Sequence, residues 1–134
     1  VARYRAKLSG PLLDRIDMML EVPALKQDEL AAPAQGESSA SVTARVSRAR
    51  AQQLARQGKP NSALSPGEID TQCSPDAKGA ALLRAATEKL QLSARAYHRV
   101  LKLARTIADL AGQETVSAAH VAEAIAYRRQ ASGG

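Results

Sequence analysis

Arg95, Arg99 and Lys102 recur at spacings of four and three, and Thr106 and Asp109 continue the series. On a helix that spacing lines them along one face, opposite an apolar stripe. Arg95 stands two residues after Ser93, a residue suited to cap a helix, so the line of cations starts in the first turn. A helix N-terminus already carries partial positive charge, and an acid is the stabilising choice there. An arginine in that place points to an external anion, on which the free amides, the helix dipole and the guanidinium converge. The alternative is an arginine solvated on an exposed face. A second concentration of cations, Arg45, Arg48, Arg50 and Arg56 with Lys59, lies in a stretch without a single acid. With a formal charge of +6 on 134 residues, polyanions such as nucleic acid are the partners this chain would attract. The chain has three Tyr and neither Phe nor Trp, so stacking platforms for single-stranded bases are not indicated.

Other chemistries are missing from the sequence. No G-x-x-x-x-G-K-[ST] phosphate loop occurs, and no acidic pair follows a strand to hold Mg²⁺. His98 and His120 stand alone and, with Cys73, form no metal-ligand spacing, so each histidine reads as a surface or half-buried side chain and no metal site is predicted. Nothing resembles a nucleophile with its base. The chain by itself is not predicted to be a self-sufficient enzyme.

The element that must carry Arg95 is the amphipathic stretch from Leu92 to Leu110. Its apolar positions Tyr97, Val100, Leu101, Ala104, Ile107, Ala108 and Ala111 follow helical spacing, and Gly112 supplies a left-handed stop. Around it the sequence predicts four more helices. Ser41 can cap one running to Gln57, with a thin stripe of Val42, Val46 and Ala49, a basic side, and Gly58 and Pro60 beyond it. Asn61 to Leu64 reads as a loop. Ser65-Pro66-Gly67-Glu68 has the capping-box pattern and opens a short helix to about Gln72. Ser74-Pro75-Asp76 nearly repeats it and opens a helix through Leu82, Leu83, Ala86 and Leu90, with Gln91 and Leu92 as a tight link. Ser117 caps a last helix carrying Val121 and Ile125 and ending near Arg128-Arg129. Short loops and a core of Ala, Val and Leu predict an all-α helical bundle over residues 41–130, with residues 131–134 a frayed tail.

Upstream, Ser9-Gly10-Pro11 starts a short helix with Leu12, Leu13 and Ile16, and residues 18–22 resemble a strand ended by Pro23. A lone strand is not stable, so residues 1–25 read as the end of a sheet-containing domain whose remainder belongs to a longer protein. Residues 26–40, rich in Pro, Gly, Ser, Gln and Ala, read as a flexible linker. One cysteine, no signal peptide and no apolar run of ~20 residues make a cytoplasmic location without membrane contact the expectation.

Two blocks carry a resemblance: Ser9-Gly10-Pro11-Leu12-Leu13-Asp14-Arg15-Ile16-Asp17 followed by Glu21-Val22-Pro23, and Ser93-Ala94-Arg95-Ala96-Tyr97-His98-Arg99 followed by Ala104-Arg105-Thr106-Ile107-Ala108-Asp109-Leu110. Together, in that order, they resemble the C-terminal part of the magnesium-chelatase-like AAA+ ATPases, of the competence-protein ComM/YifB type. The resemblance implies that residues up to about Pro23 end an AAA+ core and the rest forms its helical lid. It implies that Arg15 is an arginine finger acting in trans on a neighbouring subunit's ATP, and that Arg95 is the sensor 2 arginine acting in cis, with Arg99 as a further nucleotide contact. A pair between Arg15 and Asp14 or Asp17 is the alternative for the first. The longer protein would use ATP and Mg²⁺, assemble with other copies of itself in a ring, a hexamer by analogy, and act on DNA; Arg45, Arg48, Arg50 and Arg56 are candidate nucleic-acid contacts from their charge alone. Two alternatives stay open: the lid of a true magnesium chelatase subunit, and a free-standing basic helical module that binds nucleic acid.

Overall fold

A computed structural model of the chain describes residues 38–133, with side chains as far as Arg128. The helix and strand expected in residues 1–25, Arg15 with them, and nearly all of the linker lie outside the described residues. Within the described residues the chain builds the all-α bundle that its sequence predicts: α1 (Ser39–Gln57), a 3-10 turn (Asn61–Ala63), α2 (Pro66–Gln72), α3 (Ala77–Leu90), α4 (Ala94–Leu110) and α5 (Ala118–Gly133). No described helix is long and apolar enough to cross a membrane.

The N-caps of α1 to α4 follow the sequence with two shifts. Ser38, not Ser41, caps α1: its hydroxyl accepts the Ser41 N–H at 3.1 Å. Three residues of Ser and Ala favour neither start, and the earlier serine gives the helix almost one more turn. At the other end Gly58 adopts φ 75° and donates its N–H to Leu54 O, as a helix-stopping glycine does. The second shift is in α3, where Asp76 rather than Ser74 is the cap and accepts the Gly79 N–H at 2.8 Å. Pro75 is held extended in an isolated parallel bridge with Val116, and the Asp76 N–H donates to Val116 O, so the helix starts only beyond that pairing. Backbone helicity in α5 continues to Gly133, past the end expected near Arg128-Arg129.

Ser65 and Glu68 form the expected capping box on α2. The Ser65 hydroxyl accepts the Glu68 N–H at 3.3 Å, and Glu68 Oε1 accepts the Ser65 N–H at 2.9 Å. Lys59 Nζ reaches the same oxygen at 2.8 Å. Lys59 first, and then the Ser65 N–H, hold the Glu68 carboxyl down from its ordinary 4.5 to about 2. A carboxyl whose folded pKa lies below its unfolded one stabilises the fold above the unfolded value and loses that contribution as pH falls through the folded one. The urea midpoint of the chain should therefore drop between about pH 4.5 and about pH 2, and Glu68→Gln should flatten part of that drop.

The core lies around α4. Leu64, Ile69, Cys73, Leu83, Val100, Leu101, Ala104, Ala108, Val116, Val121, Ala124 and Ile125 form one buried cluster. Helix α4 packs on α1, the 3-10 turn, α2 and α5, and α3 closes the bundle against α5. The close approach of α3 to the strand-like segment before α5 requires glycine at 79. A Cβ there would lie 2.9 Å from Pro75 Cβ, 3.2 Å from Asp76 Oδ1 and 3.3 Å from the Ser117 carbonyl carbon. The proline ring and the backbone cannot rotate away, so Gly79→Ala should destabilise by about 1–3 kcal/mol, readable as a lower urea midpoint at unchanged slope.

Candidate functional site

Helix α4 is covered along the flank of its apolar stripe by three different elements. His98, Lys102, Arg105 and Asp109 stand at i, i+4, i+7 and i+11 on that flank. Its N-terminal half faces α2 and Ser62 of the 3-10 turn, and its C-terminal half faces α1 and Asn61, the first residue of that turn. The chemistry of the two halves differs.

At the N-terminal half a groove of about 480 Å³ is lined by Ser62, Leu64, Pro66 and Ile69 on one side. Ala94, Arg95, His98, Arg99 and Lys102 line the other. The Ser93 hydroxyl accepts the Ala96 N–H at 3.1 Å, as its sequence position predicts, which fixes where the first turn begins. Arg95 lies in that turn, exposed, and among the described residues it has no hydrogen-bond or ion-pair partner. Arg99 and His98 are half-buried and Lys102 is buried. His98 Nε2 sits 3.1 Å from Asp70 Oδ1 on α2, and its ring meets Tyr97 edge-on at 5.6 Å. The groove thus has an apolar wall and a wall of nitrogen donors set on a helix start. That combination fits a polyphosphate-bearing ligand.

At the C-terminal half the same helix holds a polar network that the sequence reading placed in solvent. Asp109 and Lys102 were expected on the exposed face, yet Asp109 is 3% exposed. Arg56 of α1 reaches Asp109 with both terminal nitrogens, at 2.9 and 3.2 Å. Arg105 reaches it from within α4, Nε at 3.1 Å, and donates its other N–H groups to the Gln113 and Glu114 carbonyls at 2.7 Å each. Asn61, read as a loop residue, is buried at the centre. Its amide nitrogen donates to Thr106 Oγ1 and Asp109 Oδ2 at 3.0 Å each, and its oxygen accepts from Arg56 and Gln57. The Asn61 backbone N–H donates to Gln53 Oε1 at 2.9 Å.

The four arginines proposed for nucleic acid therefore do not form one surface. Arg48 and Arg50 are exposed on α1 and Arg45 is half-buried. Arg56 belongs to the internal network and is withdrawn from that group, because the same turn of α1 that packs on α4 turns its guanidinium inward. The apolar residues Val42 and Val46, expected to pack, are exposed. What the sequence reading missed is the Arg56–Asn61–Asp109 constellation. Its only signal was that Arg105 and Asp109 flank the apolar stripe closely enough to need counter-ions if a second helix lay there.

Neither histidine joins a metal-binding group: among the described residues no three His, Cys, Asp or Glu side chains are placed to share a metal ion. His120 Nδ1 instead accepts the Ser117 N–H at 3.0 Å at the start of α5. Cys73 is fully buried, and burial pushes its thiol up to about 11, so it is a core side chain and not a nucleophile.

Residues 36–128 match the family model described as magnesium chelatase, subunit ChlI C-terminal, and residues 1–30 match that of magnesium chelatase, subunit ChlI. Competence protein ComM of Haemophilus influenzae is 46% identical over 129 residues, which cover 96% of this chain and 25% of that protein. YifB of Escherichia coli is 42% identical over 127 residues, covering 94% and 25%. Rv2897c of Mycobacterium tuberculosis is 36% identical over 132 residues, covering 95% and 26%. The chain spans about a quarter of the length of the curated relatives it matches. With the family model covering most of the chain and all of the described bundle as far as Arg128, the chain belongs to the magnesium-chelatase ChlI C-terminal family, of the ComM/YifB type.

Proposed function

We propose that this chain is the lid of an AAA+ ATPase and that Arg95 is its sensor 2 arginine, touching the γ-phosphate of ATP bound to the same subunit. The observation that carries the reading is the place of Arg95: an exposed guanidinium in the first turn of a 17-residue helix, on a groove shared with His98, Arg99 and Lys102. Arg95 and Arg99 would hold phosphate oxygens, and Leu64, Pro66 and Ile69 offer the less polar parts of the nucleotide a surface that excludes water. ATP would supply the phosphoryl group and Mg²⁺ the neutralising charge. The described residues offer no carboxylate cluster for the ion, so its ligands and the phosphate loop would come from elsewhere in the longer protein. Fixed cations aimed at developing phosphate charge accelerate hydrolysis because they need no rearrangement as that charge grows. Arg15, in the Leu-Leu-Asp-Arg block, would serve the neighbouring subunit's site in trans, within a ring of copies. The word competence in the name of one relative, with exposed Arg48 and Arg50 on α1, supports DNA as the substrate of that ring.

Nucleotide binding to a full-length protein carrying this chain tests the reading. A γ-phosphate contact is worth about 1.5–3 kcal/mol, so Arg95→Ala should weaken ATP roughly 10- to 100-fold and leave ADP nearly unchanged. Equal affinities of the variant and the parent for both nucleotides would remove Arg95 from the site.

A further inference from the structure

The apolar core of the bundle is built without α1. Each residue of the buried cluster comes from Leu64 onward, and α1 buries only Ala49 and Gln53. Its larger apolar side chains stay in water: Val42 is 37%, Val46 50% and Leu54 44% exposed. Besides Ala49 and the contacts of Ser41 and Arg45, α1 is attached by the hydrogen-bonded network of Gln53, Arg56 and Gln57 with Asn61 and Asp109. Beside it the seam between α1 and α4 is an open groove of about 420 Å³ lined by Gln52, Ala55, Arg56, Arg105, Asp109, Gln113 and Glu114. Such bonds exchange for water at small net cost, whereas the α3–α4–α5 contacts are held by apolar burial. The bundle also keeps its own counter-ion. When Arg56 leaves, Arg105 still pairs with Asp109 from the same helix at 3.0 Å, so no carboxylate is left buried alone.

We infer that α1 is a detachable strap, which undocks from α4 as a unit while the 3-10 turn and α2 to α5 stay folded. Free α1 frays, because a single helix of its length is marginal in water. The strap is the route by which the chain enters the bundle, so its docking sets the orientation of the Arg95 groove relative to whatever precedes Ser38. This concerns the mechanics of the fold and stands or falls independently of the nucleotide reading.

Amide hydrogen exchange of the whole chain, followed by NMR at increasing low urea, tests it. The amides of Gln53 and Leu54 should exchange through a local opening with little urea dependence, well ahead of Ala104, Val121 and Ile125. Asp109→Asn removes charge-assisted bonds from the docked state, from which every opening starts, so it should speed exchange in α1 by about 10- to 100-fold and Val121 and Ile125 by no less. Leu83→Ala, which weakens docked and undocked states alike, is the selective arm: it should speed Val121 and Ile125 by well over tenfold and Gln53 and Leu54 by less than about twofold, and Ile125→Val repeats the arm with a smaller core loss if Leu83→Ala does not fold. Exchange of α1 at the rate and urea slope of Val121 and Ile125, or a core substitution that speeds α1 as much as it speeds Val121 and Ile125, would overturn the strap.

Discussion

Replacing Arg95 by alanine in a full-length protein that carries this chain should lower ATP turnover by on the order of 10³-fold, the scale of loss when an arginine that stabilises transferring phosphate is removed. On the proposed role the effect would belong to the chemical step, because a guanidinium contact strengthens as charge moves onto phosphate oxygens. Arg95→Lys should rescue little. A lysine keeps the charge but offers one ammonium in place of a planar fork, from a helix turn whose position is already fixed by the Ser93 cap. Arg99→Ala, on the same groove but half-buried one turn later, should lower turnover less than Arg95→Ala. Steady-state ATPase rates of the three variants, each confirmed folded, give the comparison.

The second large effect is on stability. Leu83→Ala should cost about 2–5 kcal/mol in global unfolding free energy, towards the upper end of the range for buried leucines. Leu83 is 1% exposed, and six of the eleven other residues of its cluster are alanine or valine: Val100, Ala104, Ala108, Val116, Val121 and Ala124. Alanine and valine have no spare rotamers with which to fill the vacated space, so the cavity persists and its lining loses contacts outright. Leu54→Ala, at 44% exposure, is the internal control and should change the midpoint by no more than about 0.5 kcal/mol. Urea unfolding followed by circular dichroism measures both.

The parts of this structure that the sequence made legible are those governed by local rules. Ser93, Ser65 with Glu68, Gly58 and Gly112 each act where their chemistry places them, since a cap or a left-handed stop is decided within four residues. The apolar stripe of α4 was legible for the same reason, because period alone selects a face. The flank of that stripe was not. Whether Arg105 and Asp109 meet water or another helix depends on where α1 docks, and α1 signals its docking poorly because it does so through Gln53 and Arg56 rather than through Val42 and Val46. The shifted start of α3 has a similar origin: the Pro75 pairing with Val116 is a long-range contact, and no local pattern around Ser74 reports it. Arg95 stands out in the sequence because it breaks a local preference, a cation at the positive end of a helix.

The central claim is that this lid presents Arg95 to its own subunit's nucleotide while Arg15 serves the neighbour's. Mixing subunits of the full-length protein tests both sides at once. One partner carries a broken phosphate loop with both arginines intact, and the other carries an intact loop with either Arg15→Ala or Arg95→Ala. The account predicts that the Arg15→Ala mixture regains part of the ATP turnover, since a working loop then meets a working Arg15 across a shared interface. The Arg95→Ala mixture should stay near the level of its inactive parents, because no single subunit holds both a working loop and a working Arg95. Equal recovery in the two mixtures would contradict the account.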